Sequence, residues 1–155
     1  MKTNEILILI LYFLVTSCQK EEEIIDITNS CIFYDNILST CFYGSVSSKY
    51  NEYVFRNQSE FQVFGDSIRI HPANLDCDTA KLPDIDFNKY TVLINKTSGT
   101  GCSVVYNRTI IKDTQKKKII YKISAEYSGN CKMLIGNRNW AFVPKIPDDY
   151  KVEFQ

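Results

Sequence analysis

The 155-residue chain has a single histidine, His71, and that scarcity sets the first limit on its chemistry. Any Cys–His or Ser–His mechanism would have to use this one imidazole as its base. The nearest thiol in sequence is Cys77, but Asp76 and Asp78 flank it, and neighbouring negative charge raises a thiol pKa and keeps the sulfur protonated. No Cys-x-x-Cys pair occurs among the six cysteines, so the usual spacing of a compact zinc site is missing and no metal is expected. Net charge is absent too: 18 Lys and Arg stand against 18 Asp and Glu, which removes the basic excess that a phosphate backbone demands and with it nucleic acid as a partner. There is no internal repeat and no low-complexity tract. The apolar run from Ile6 to Val15 falls well short of the ~20 residues that cross a bilayer as a helix.

That run does match the core of a secretory signal peptide. Behind it, Val15-Thr16-Ser17-Cys18 places small residues before a cysteine and resembles the lipobox of bacterial lipoproteins. The resemblance implies a signal peptide over residues 1–17 and a lipidated Cys18 as the first residue of the mature chain. Each buried acyl methylene contributes about 0.8 kcal/mol, so an N-terminus with two or three chains stays in the membrane. The following residues, Gln19, Lys20, Glu21, Glu22 and Glu23, resemble the surface-export signal of lipoproteins from Bacteroidota-type bacteria. The expected location is the outer membrane, lipid-anchored and facing the cell exterior. Residues 18–30 read as a lipidated tether whose last apolar residues can join the first strand, and 31–155 as one extracytoplasmic domain.

Such a compartment is oxidising, and the remaining cysteines suit disulfides. Cys102 and Cys131 are expected to pair, each at the rim of a strand in the same sheet. Cys77 is expected to pair with Cys31 or Cys41, leaving one thiol over. An apolar content of 45%, with ten Tyr and nine Phe, can fill a single core.

The spacing of Phe61, Phe64 and Ile68 predicts a helix near 59–69, with Ser59 and Gln62 as its capping box. Pro72 to Pro83 reads as a loop. From Phe87 onward the period falls to two. Tyr90, Val92 and Ile94 alternate with Thr91, Leu93 and Asn95. Val104, Tyr106, Arg108 and Ile110 share one face of the next strand, and Asp113 to Lys118 turns the chain. Ile119, Tyr121, Ile123, Ala125 and Tyr127 then form an apolar face opposite Lys122, Ser124 and Glu126. Trp140 to Val143 is a last core strand, and Tyr150, Val152 and Phe154 alternate in a short terminal one. The expected class is α+β: mostly antiparallel sheet, as a small sandwich or curled sheet, with one packed helix.

Three further patterns invite chemistry. Asp76, Asp78, Asp84 and Asp86 concentrate carboxylates in one loop, but with no calcium-loop spacing they read as turn and capping residues. Gly99-Thr100-Gly101 lies between two strands with no helix N-terminus to receive an anion, and reads as a hairpin turn. Lys116-Lys117-Lys118 reads as a solvated hairpin tip that protects the sheet edge.

Ile85-Asp86-Phe87 before a strand, the glycine-rich turn at 99–101 and Val143-Pro144-Lys145 near the end together resemble the β-rich C-terminal domain of PrcB-like protease-complex accessory lipoproteins, over residues 52–155. Gly101-Cys102-Ser103 stands where that group has Gly-Gly-Tyr. The resemblance implies a role in holding a partner protein and supplies no catalytic residue. The resulting expectation is a surface-anchored lipoprotein that binds or stabilises a protein or glycan partner without catalysis or cofactor, with tyrosines on the outward sheet face as anchors. The alternatives are a small secreted hydrolase using the loop carboxylates and a structural envelope component.

Overall fold

The computed structural model describes residues 23–35, 52–69 and 82–155. Among these residues, eight strands form two four-stranded sheets. The first sheet contains β1 (Ile24–Asp26), β5 (Ser103–Asp113), β6 (Lys118–Ser128) and β8 (Lys151–Phe154), in the order β1-β5-β6-β8. The second contains β2 (Ile32–Asp35), β3 (Glu52–Phe55), β4 (Tyr90–Thr100) and β7 (Leu134–Pro144), in the order β2-β7-β4-β3. All neighbours are antiparallel except β6 and β8. One helix, α1 (Gln58–Arg69), completes the α+β sandwich-like fold.

The second sheet is covered on both faces, so the centre of β4 does not alternate between buried and exposed residues. Thr91, Val92, Leu93 and Ile94 are all fully buried. Val92 and Ile94 pack with Trp140, Phe142, Phe55 and the helix residues Phe61 and Phe64. Leu93, Ala141 and Val143 face the first sheet and meet Ile110, Ile119, Tyr121 and Ile146. Only strands enclosed on both sides carry such unbroken apolar runs. The first sheet has one face in water, and its β6 keeps the expected alternation, with Tyr121 buried and Lys122 exposed.

The long strands form one folded ribbon. Residues 90–113 run antiparallel to 118–144, first as β4 against β7 and then as β5 against β6. Thr100 pairs with Leu134 and Ser103 with Ser128, so the corner holds residues 101–102 on one side and 129–133 on the other. At this corner the ribbon passes from one sheet to the other, and the Cys102–Cys131 disulfide, with Cα atoms 4.8 Å apart, closes it. Gly129 has φ +85, and a Cβ there would meet the Cys102 sulfur. Both the backbone angle and the close sulfur therefore require glycine.

Several expectations change. The cysteines do pair, but they sit in the two connections between sheets and not at rims within one sheet. Gly99-Thr100-Gly101 belongs to the same corner and is not a hairpin turn, because β4 and β5 lie in different sheets. Helix α1 starts at Gln58, and its cap is Asn57, whose side-chain oxygen accepts the Glu60 N–H at 2.9 Å. Glu60 accepts the N–H of Arg56, the residue before the cap, at 3.4 Å, so Asn57 and Glu60 close this end, not Ser59 and Gln62. The sheet also reaches into the expected tether: Ile24–Asp26 pair with Ile111–Asp113, and the Thr28 hydroxyl accepts the Ile110 N–H at 2.8 Å.

Candidate functional site: a polar layer between the sheets

Strand parity decides which side chains enter the space between the sheets. Ile110 and Tyr121 are opposite each other and buried, so the even residues of β5 and the odd residues of β6 point inward. The odd residues of β4 and β7 point inward from the other side, as Leu93 and Val143 do. Away from the corner these positions hold Leu93, Ala141, Val143, Ile110, Ile119 and Tyr121, with Thr91 accepting the Ile146 N–H at 3.1 Å. Toward it they become Asn95 and Thr97 on β4, Arg108 and Tyr106 on β5, Tyr127 on β6, and Asn139 and Asn137 on β7. Gly99 leaves room for the Tyr127 ring, which a Cβ at that position would overlap.

Arg108 is the centre of this layer. Its Nε and Nη2 donate to Asn139 Oδ1 at 3.1 and 2.7 Å, and Nη2 also pairs with Asp35. The arginine side chain is 11% exposed and the aspartate 58%, so the cation lies inside and its carboxylate at the rim. The guanidinium carbon is 5.1 Å from the Tyr106 ring centroid and 6.0 Å from that of Phe33, within cation–π range. The Asn139 amide donates to the Asn95 carbonyl at 3.2 Å and the Thr97 hydroxyl at 3.0 Å. Asn137 donates to Asn139 Oδ1 at 3.2 Å and toward Asp35 at 3.4 Å.

Among the described residues, the Tyr121 hydroxyl and Asn137 Oδ1 are buried without a hydrogen-bond partner. Each costs about 1–3 kcal/mol relative to a satisfied group. Tyr106 lies close to Thr97, Tyr127 and Asn137, and desolvation raises its pKa. Tyr121 is raised further, again mainly by burial, against the opposing pull of Arg108. Both phenols are therefore neutral near pH 7 and act as hydrogen-bond donors or acceptors, not as bases. The layer offers fixed donors, an amide acceptor and aromatic rings.

The residues singled out from sequence go elsewhere. Cys18, Gln19, Lys20, Glu21 and Glu22 lie outside the described residues, as do His71, Cys41, Cys77, Asp76 and Asp78. The Glu23 carbonyl accepts the Thr114 N–H at 3.2 Å and so belongs to the sheet edge. Cys31 is free, which removes it as a partner for Cys77. Its thiol reaches the Ile27 carbonyl at 3.2 Å, and burial pushes its pKa up to about 12, so it is a poor nucleophile. Asp86 forms a turn, accepting the Asn88 N–H at 3.0 Å with Lys89 at 3.4 Å, and these contacts lower its pKa. The lysine tip is not simply solvated: Lys116 pairs with Asp113, Lys117 with Asp149 at 2.6 Å, and Lys118 with Glu153. The tyrosines of β5 and β6 point inward, so the expected outward tyrosine anchors are not on these strands.

The sequence points to Trp140–Val143 alone as the last long strand, which leaves the polar layer out. The strand's start at Leu134 adds Asn137 and Asn139 at inward positions. The available signal was Tyr106 and Arg108 on the same parity as Ile110, a polar pair on a buried face.

No family model, curated protein or solved structure matches the chain.

Proposed function

We propose that this chain is a lipid-anchored outer-membrane protein, held by Cys18 and exported through Gln19 to Glu23, whose domain binds or stabilises a protein or glycan partner without turnover. The observation that carries the binding role is the layer around Arg108. The guanidinium lies between two aromatic rings, and the layer opens to solvent at Asp35, 58% exposed, so a partner would meet it at that rim. No proton or nucleophile in it is poised for chemistry. The competing hydrolase reading needs the loop carboxylates, and Asp86 is already committed to its turn as an ionised acceptor.

The test is a native pull-down from solubilised envelopes with the mature domain as bait, run beside Arg108→Gln and Tyr127→Phe variants checked for folding by circular dichroism. A protein or glycan retained by the wild type and lost by either folded variant supports the reading. Equal recovery with all three baits removes the polar layer as the binding element. Peptide or glycan hydrolysis abolished by Asp84→Asn or Asp86→Asn replaces binding with the hydrolase.

A further inference from the structure

We infer that the end of the domain built from the β5–β6 turn and the β7–β8 connection faces the headgroup layer of the membrane that holds the lipid, with the disulfide corner pointing away. This rests on the lipidation of Cys18 proposed above.

The argument is one of chain length. β1 is antiparallel to β5 with Ile24 opposite Asp113, the last residue of β5. Glu23 is fastened beside the turn through the N–H and hydroxyl of Thr114, both at 3.2 Å from its carbonyl. The chain therefore enters the domain at the β5–β6 turn. Five residue steps separate Cys18 from Glu23, and a fully extended chain covers about 3.3–3.6 Å per step, so the lipidated residue lies within about 18 Å of that turn. From Asp113 back to Ser103 the strand rises about 34 Å, at about 3.4 Å per residue. The corner is thus about twice as far from Glu23 as the tether can reach.

The near end suits a polar interface. Lys116, Lys117 and Lys118 are each paired with a carboxylate, so this end is locally neutralised and is held at the headgroups by the tether, not by charge. The β7–β8 connection joins it through Asp149, and the Lys151 N–H donates to the Lys117 carbonyl at 2.9 Å. The far end carries Met133 and Leu134, 55% and 75% exposed, next to the polar layer.

Amine acylation read by mass spectrometry tests the orientation, because lysines mark both ends. The native lipidated protein on phosphatidylethanolamine–phosphatidylglycerol vesicles is compared with the unlipidated mature chain, residues 18–155, in solution. Anchoring is expected to lower labelling of Lys116, Lys117 and Lys151 by about threefold or more while leaving Lys132, beside Cys131, nearly unchanged. Protection of Lys132 equal to that of Lys116, on protein whose intact mass includes the lipid, overturns the orientation and leaves the proposed anchoring in place. An intact mass without lipid overturns both.

Discussion

The space between the sheets has two halves built by the same four long strands, and they are held closed by different means. In one, Leu93, Val143, Ile110, Ile119, Tyr121 and Ile146 are at most 2% exposed and form a continuous apolar cluster. In the other, the same strands present Thr97, Tyr106, Arg108, Tyr127, Asn137 and Asn139, and the Cys102–Cys131 bridge closes the end. The apolar half gains free energy by excluding water, without regard to direction. The polar half gains little unless every group finds a partner, and Asn137 Oδ1 has none among the described residues. Stability therefore rests on the apolar half, and the proposed recognition on the polar one.

Substitutions in the two halves test that division. The largest effect is expected from Ile110→Ala, which empties a fully buried site in the apolar half and should cost about 2–5 kcal/mol by urea denaturation. A cost below about 1 kcal/mol would mean that this half is not where the fold is held. Replacing Cys102 and Cys131 together by serine opens a loop with a sequence separation of 29, worth about 3–4 kcal/mol in the chain-entropy description. Hydrogen exchange should then rise most around residues 97–108 and 123–137. Uniform exchange along the chain would show that the corner is no more dependent on the bridge than the rest.

A smaller change is expected from Arg108→Gln. It removes the two guanidinium donations to Asn139 Oδ1 but leaves the apolar half intact, for a cost of about 1–3 kcal/mol. A stability gain would make the arginine a functional group retained at the expense of the fold.

Alkaline pH probes buried groups from both halves. The Cys31 thiol is pushed up to about 12 from its ordinary 9.0, and the Tyr106 and Tyr121 phenols are raised as well. The unfolded chain therefore loses these protons first. For Cys31, its contribution is fully present below about pH 9 and is lost as the pH climbs toward 12. Urea midpoints should fall across this window, less steeply in Cys31→Ala, and a flat profile to pH 11 would contradict the burial of these groups. The smallest effect belongs to Lys117→Ala, which breaks an exposed pair with Asp149 and should leave the urea midpoint nearly unchanged.

The elements themselves were legible in the sequence wherever one physical pattern dominated. Three- and four-residue spacing located the helix through Phe61 and Phe64, and two-residue alternation located β5 and β6, because one face of that hairpin is in water. Cys102 and Cys131 could be paired from sequence, since both adjoin strand ends. Other features depended on neighbours that no local window contains. Ser59 and Asn57 are both good capping residues, and the choice of Asn57 follows from where β3 delivers the chain beside Lys145, whose ammonium donates to the Arg56 carbonyl at 2.7 Å.

What the sequence determined by itself was the periodicity, the strand-rich composition and the pairing of the two corner cysteines. Tertiary structure decided which alternating face of β5 is inside, and with it that Tyr106 and Arg108 enter the space between the sheets. It also bent the 90–144 ribbon so that the disulfide links two sheets, and it gathered Asp35, Arg108, Asn137 and Asn139 into one layer. Those residues lie up to 104 positions apart and meet because β2 pairs with β7 and β5 lies across from it. Long-range strand pairing placed them together, and local preference has no means of encoding it.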